Sequence, residues 1–223
     1  SSDMSYQMIH ACIAYDLLKS LPDIKYQADF ILASVSPDSV HMNADFDISM
    51  KIRSHCFEGC GEWTDTKEPN RWREQILALW DKYKDSPAEI KDFALGYIVH
   101  CLTDRCNDMD IWVPLRDKYA GTAGYPAFRE RFQYEARHID LWLYQNSKNS
   151  DAIFQMLKTG RAFDMDGLIR VDSLEKQRWH LLHEQYKCDI INADAYKYVT
   201  KEKITIFLET SVQKILKDIR SLG

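Results

Sequence analysis

The chain has 223 residues, 45% of them apolar, so it can bury a sizeable core in one domain without disulfide bonds. Its 29 basic and 34 acidic residues leave a net charge of −5, which argues against a sequence-independent nucleic-acid binder because such proteins need a basic face. No apolar run approaches the ~20 residues of a membrane-spanning helix. We therefore expect a single domain over 1–223, with no transmembrane segment and no specific nucleic-acid partner.

The N-terminal segment lacks the basic-then-apolar pattern of a signal peptide, so the chain as it stands predicts a cytoplasmic protein. Residues 1–3 have the composition of a tag remnant, with Met4 as the natural start.

The six cysteines do not have the spacing of a disulfide framework. Cys56 and Cys60 follow His55 and leave a Cys/His zinc clip open, although no second cysteine pair with finger spacing accompanies them.

Apolar residues recur every three to four positions along most of the chain, which predicts an all-α, single-domain bundle of many helices. Asn70 is a candidate N-cap, and Ser86 is another, with Pro87 in the first turn that follows. The polar segment 39–61 predicts irregular structure. In chain order, we predict helices over about 9–18, 26–35, 70–83, from 87 through 104, over 108–119 with an interruption at Pro114, and over 127–144, 153–160, 174–186 and 200–222.

His100 and Asp104 are the most informative pair in the chain. They are four residues apart in a predicted helix, so both side chains lie on one face, one turn apart. Phe93 and Tyr97 share that face, which directs the pair toward the core. An isolated buried charge is costly, so an inward imidazole and carboxylate need partners. A buried His–Asp hydrogen bond that only orders the helix is the simpler alternative.

Three further side chains favour a metal site over that alternative. His10 borders the apolar stripe of the first helix, Asp38 follows Pro37 on a predicted turn, and His55 lies in an apolar setting. Imidazole nitrogen suits zinc, and carboxylate oxygen completes a tetrahedral or bridged site. Several candidate ligands on separate segments therefore predict a metal centre rather than one local hydrogen bond.

These segments resemble the zinc-dependent phospholipase C family, together with the related nucleases of the S1/P1 type, over roughly residues 5–140. Members of that family are all-helical and bind up to three zinc ions. The resemblance rests on ordered, widely spaced motifs, and the one around His100 is the closest match. The matching segments are Ile9-His10-Ala11-Cys12-Ile13-Ala14, Ser36-Pro37-Asp38, Ser54-His55-Cys56-Phe57 and Gly96-Tyr97-Ile98-Val99-His100-Cys101-Leu102-Thr103-Asp104.

The resemblance implies a ligand set and a reaction. One zinc would be held by His55, His100 and Asp104, and a second by His10 with Asp104 bridging. Asp38 would lie between the metals and the attacking water, as a ligand or a general base. Paired divalent ions can activate water and stabilise the oxygens of an in-line displacement at phosphorus. The expected activity is therefore hydrolysis of a small phosphodiester or a phospholipid headgroup.

The chain departs from the family pattern at three places. Nine residues precede His10, whereas secreted members use their N-terminal residue as a ligand. Asp110 stands where the family has a third-site histidine, and Arg131 stands in the histidine position of the last motif, four residues before Glu135. A site made of Asp110 and Glu135 would be oxygen-rich and weak for zinc. The alternatives are that it is empty, that it holds another metal, or that it has become an Asp110–Arg131 ion pair. We expect one or two zinc ions.

Other readings of the function differ in what they require. A helical metal-binding or sensor protein that has lost catalysis is compatible with the incomplete third site. An HD-type phosphohydrolase would need an adjacent His-Asp dipeptide, which the sequence lacks.

The segment 163–168 contains Asp164-x-Asp166-Gly167, but no buried strand precedes it, so we interpret it as a turn whose carboxylates could line the cleft. His180 and His183 lack an inward carboxylate and are expected at the surface.

Overall fold

The computed structural model describes residues 6–223 and confirms the all-α prediction. The expected tag remnant, 1–3, and Met4 lie outside these residues. Besides the α-helices, the described chain has one 3-10 helix and two π-helical turns. In chain order the helices are α1 (Gln7–Leu18), α2 (Gln27–Ala33), the 3-10 helix Ser36–Met42, α3 (Ile48–Ser54), α4 (Pro69–Tyr83), α5 (Ala88–Asn107), the π-turn Asp108–Trp112, α6 (Val113–Tyr119), α7 (Tyr125–Asn146), α8 (Ser150–Thr159), α9 (Val171–His180), the π-turn Leu181–Gln185 and α10 (Lys201–Arg220).

Helix α5 is the centre of the core. Every side chain from Asp92 to Thr103 is buried, because the helix packs against α2 and α4 and also touches α1 and α10. A helix that is apolar all round must be covered on all sides. The pair predicted to point inward, His100 and Asp104, is thereby placed where several elements converge.

Gly96 allows α2 to lie directly against α5. A Cβ atom at this position would fall 2.9 Å from Ala33 Cβ and inside contact distance of the Phe30 carbonyl oxygen. Only glycine permits this approach of two helix backbones. The end of α2 therefore lies one helical turn from His100.

The polar segment 39–61 is more regular than predicted. It continues the 3-10 helix to Met42 and then forms α3, which begins after Asp47, whose carboxylate accepts the Ser49 amide at 2.8 Å. The segment then enters a short antiparallel hairpin of β1 (Gly61–Glu62) and β2 (Asp65–Thr66). An N-cap hydrogen bond, rather than an apolar stripe, marks this helix.

Two predicted N-caps are wrong. Helix α4 begins at Pro69 rather than after Asn70, and α5 begins after Pro87 rather than after Ser86. Pro at the first helical position explains the first shift, since its missing N–H costs nothing there. At the last helix, α10, the Thr200 hydroxyl caps the Lys203 amide at 3.0 Å.

Within residues 6–223, no helix combines the length and apolarity that crossing a bilayer requires.

Candidate metal centre

Four elements bring the five predicted side chains together. His10 comes from α1, Asp38 from the 3-10 helix, His55 from the end of α3, and His100 and Asp104 from α5. The first four are buried, and Asp104 retains a side-chain exposure of 17%. Residues separated by up to 94 positions in the sequence, from His10 to Asp104, thus meet at one point.

Three acceptor atoms form a nearly equilateral triangle. His55 Nε2 lies 3.2 Å from His100 Nε2, and Asp104 Oδ2 lies 3.2 Å and 3.3 Å from these two atoms. Zinc with nitrogen and oxygen ligands at about 2.0–2.2 Å has tetrahedral ligand–ligand edges of about 3.3–3.6 Å. The triangle therefore has nearly the dimensions of one face of a zinc coordination sphere.

Backbone carbonyls fix the orientation of both imidazoles. His100 Nδ1 lies 2.7 Å from the carbonyl oxygen of Ser34, and His55 Nδ1 lies 2.9 Å from that of Lys51. A carbonyl can only accept, so each Nδ1 carries the proton and donates it. In the neutral rings both Nε2 atoms then present lone pairs to one another. This is the arrangement by which metal-binding histidines are usually held, with the second nitrogen donating to a carbonyl.

His10 extends the cluster on the other side of Asp104. Its Nε2 lies 2.9 Å from Asp104 Oδ1, so the two carboxylate oxygens face different histidines. Its ring stacks on that of His100 with centroids 3.6 Å apart, and its buried Nδ1 has no hydrogen-bond partner among residues 6–223. Two further ligand groups in the described chain overlap with the triangle: His10 with His100 and Asp104, and Asp38 with His55 and His100.

Asp140 and Tyr97 hold two of these ligands in place through the backbone. The buried Asp140 carboxylate accepts the amides of Met8 at 3.3 Å and Ile9 at 2.9 Å, which fixes the start of α1 just before His10. The Tyr97 hydroxyl donates to the carbonyl of Ser54, at the end of α3. Asp140 therefore has a structural role, because it positions the helix that carries His10.

The charges of the cluster are strongly coupled. Burial raises the pKa of Asp104, but His10 and His100 outweigh it and lower that pKa well below its usual range. Burial lowers the pKa of His55, but Asp104 and Asp38 outweigh it and raise the pKa to about 9. Burial, together with His10, lowers the pKa of His100. In the metal-free cluster, a proton on His55 and the Lys51 ammonium balance the two carboxylates.

Asp38 lies at the edge of the cluster. Its Oδ1 is 3.1 Å from His55 Nε2, its Oδ2 is 3.5 Å from His100 Nε2, and the Gln7 amide donates to Oδ2 at 2.6 Å. Burial raises the pKa of Asp38, but Lys51 and the two histidines lower it below the ordinary range. The carboxylate is therefore ionised and oriented toward the same point as the imidazoles.

Asp110 and Glu135, the candidates for a third site, do not join a convergent ligand group among the described residues. Asp110 Oδ2 pairs with Lys214 at 2.7 Å and Arg131 pairs with Glu135, so the alternative of an Asp110–Arg131 ion pair is not found among the described residues. Glu135 is buried and pairs with Arg131 at 2.7 Å. Its oxygens also accept the backbone amides of residues 197–199. These partners occupy the carboxylate lone pairs that a metal would need.

The cluster opens onto a cavity of about 690 Å³. Asp38 and Asp104 line it, as do Trp63 and Trp112. Trp63 lies on the β1–β2 hairpin with its ring centroid 5.0 Å from that of His55. A cavity of this size suits a small ligand, and aromatic walls give it an apolar surface.

Two residues beside the cluster were missed by the sequence analysis, namely Lys51 and Gln7. Lys51 lies four residues before His55 and Gln7 three residues before His10, so helical spacing could have identified both. The carboxylates of the 163–168 turn do not line this cavity: Asp164 accepts the Val171 amide and Asp166 pairs with Lys82.

Comparison of the chain with known protein families, with curated proteins and with solved structures finds no match. The likeness to the zinc-dependent phospholipases C therefore stays a resemblance of motifs, and the geometry of the site is what points to a function.

Proposed function

We propose that this protein is a metal-dependent hydrolase that cleaves phosphodiester bonds in the manner of a phospholipase C, using one or two zinc ions. The observation that supports it is the convergence of His55, His100 and Asp104 acceptor atoms at 3.2–3.3 Å, while the ring N–H groups point away to carbonyls. Buried acceptors that face one another are unfavourable unless a cation or proton lies between them.

In this proposal His55, His100 and Asp104 would hold the first ion. His10 and Asp104 would hold the other. Imidazole and carboxylate ligands in a tetrahedral arrangement favour zinc over the harder calcium and magnesium. When bound, the ions lower the pKa of water to about 7 and stabilise the oxygens of a displacement at phosphorus. Asp38, ionised and at the edge of the cluster, orients the attacking water and accepts its proton.

The cavity sets the size of the substrate. Its volume of about 690 Å³ accommodates a small phosphodiester or a phospholipid headgroup, with the tryptophans packing against the apolar part. A bundle of the phospholipase C and P1 nuclease type and a cytoplasmic location belong to the same proposal. All six cysteines are free thiols, which fits a reducing compartment.

Two measurements on one preparation test the proposal. Elemental analysis of protein purified without chelator should give between one and two equivalents of zinc. Hydrolysis of bis(4-nitrophenyl) phosphate should require that zinc and be lost on chelation. Zinc without hydrolysis of any phosphodiester would favour the catalytically inactive metal-binding or sensor protein. Protein that neither contains nor takes up a transition metal would refute the metal centre itself.

A further inference from the structure

Lys51 is an unusual residue to find next to this cluster. It lies on α3, four residues before His55, and only 6% of its side chain is exposed. Lysine is almost never fully buried unless it is paired. Its Nζ lies 3.7 Å from Asp38 Oδ1, 3.3 Å from His41 Nε2 and 4.9 Å from the centroid of Trp63. The side chain thus reaches from α3 to the wall of the cavity.

Lys51 makes this end of the cavity positively charged when metal ions are bound, so the cavity would attract an anion there. Asp104 supplies one corner of the ligand triangle and Asp38 lies beside it, and two divalent ions would more than balance these two carboxylates. The Lys51 ammonium then adds a further positive charge in a place where water screens it poorly. The Lys51 ammonium has three donors and already faces Asp38 and His41, so an oxyanion in the cavity would bind it beside these contacts or in exchange for one of them.

We propose that Lys51 binds a non-bridging oxygen of the substrate phosphoryl group, so that Lys51 and the metal ligands together form a subsite for tetrahedral oxyanions. This inference rests on the proposed function and names the residue that recognises the substrate's charge. Lys51 and His55 are one helical turn apart on α3, and Asp38 lies within 3.7 Å of both. An oxygen held by Lys51 therefore belongs to a group in reach of the ligand cluster.

A purely structural role makes a different prediction. If Lys51 only held Asp38, its loss would disturb zinc binding or the rate without altering recognition of an anion. If it binds the phosphoryl group, its loss weakens binding of phosphate while zinc stays in place. The affinity for inorganic phosphate, measured on the full chain loaded with zinc, separates these roles.

The experiment compares Lys51→Met, Lys51→Gln and Lys51→Arg with the wild type. We expect the Lys51→Met and Lys51→Gln variants to keep their zinc. Calorimetry should show that they bind inorganic phosphate about 10- to 100-fold more weakly, which corresponds to the loss of one charge-assisted hydrogen bond. KM for bis(4-nitrophenyl) phosphate should rise in parallel, and Arg should restore part of the affinity. Lys82→Met is the control, since Lys82 pairs with Asp166 at 3.0 Å and lies over the Tyr83 ring, outside the cavity.

Two outcomes overturn the inference. Phosphate affinity within twofold of wild type in Met and Gln variants with full zinc would show that Lys51 does not contact the anion. Loss of zinc from both variants would assign Lys51 to supporting the ligands. The protein could also bind phosphate through Lys51 and yet cleave no phosphodiester. That result would support the oxyanion subsite and refute the proposed hydrolase activity, so the two proposals can fail separately.

Discussion

Gly96→Ala should displace helix α2 from α5 and thereby weaken the metal site. The new Cβ would lie 2.9 Å from Ala33 Cβ, whereas carbon atoms in contact prefer about 3.5–4.0 Å. Helix α2 must therefore move away from α5 by about 0.6–1.1 Å. The carbonyl of Ser34 moves with α2, and its 2.7 Å hydrogen bond from His100 Nδ1 stretches beyond the normal range. His100 then loses the contact that fixes its orientation.

Two effects of different size follow from that shift. Overpacking of this kind costs about 1–3 kcal/mol of folding free energy, or roughly 2–4 °C in Tm per kcal/mol for a chain of this length. Loss of a ligand-orienting hydrogen bond weakens metal binding by about 10- to 100-fold. We expect both, measured by thermal unfolding of the chelated protein and by competition for zinc with a chromogenic chelator.

Gly160→Ala is the matched control, because its Cβ would lie 2.9 Å from Leu32 Cβ, on the same helix α2, without facing His100. It should lose similar stability and keep its zinc affinity to within about threefold. If Gly96→Ala lost stability but bound zinc as tightly as Gly160→Ala, the placement of α2 would not be what orients His100, and the reasoning would be wrong.

Further predictions concern the ligands themselves. His55→Ala and His100→Ala should each lower the zinc content and abolish hydrolysis, whereas His180→Ala and His183→Ala should leave both unchanged; loss of zinc in the His180 variant would contradict the site. Asp38→Asn should lower kcat by ~10²–10⁴ while zinc content is kept, and recovery of the full rate at high zinc would show that Asp38 is only a ligand. Because the pKa of His55 is raised to about 9, zinc must displace its proton below that pH, so zinc affinity should rise about tenfold per pH unit from 7 to 9 and then level off. Isothermal titration across this range checks the slope, and a flat profile would mean that His55 is neutral in the metal-free protein.

The part of the fold that could be predicted is the part with a local signal. The stripe around Phe93 and Tyr97 predicted a buried helix, and α5 is buried along its length. Its spacing also predicted that His100 and Asp104 share a face, which they do at 3.3 Å. Helical periodicity depends on neighbours within one turn or two, so it can be read without knowledge of the rest of the chain.

The parts that could not be predicted depend on distant residues. Helix α3 was missed because Lys51 and Arg53 interrupt its apolar pattern, and Lys51 is buried against Asp38, His41 and Trp63, which lie elsewhere in the sequence. The role of Glu135 depends on the backbone amides of 197–199, about sixty residues later, and no feature near Glu135 indicates them. Pairings of this kind are set by tertiary packing rather than by propensity.

The position of Trp63 gives the site a built-in optical reporter. Its indole meets the His55 imidazole edge-on at 5.0 Å, and Lys51 lies over the same ring. A protonated imidazole quenches indole fluorescence on contact, so the fluorescence intensity of Trp63 should depend on whether His55 is protonated. Displacement of that proton changes the emission without any added dye, and comparison with Trp63→Phe separates this signal from the other five tryptophans.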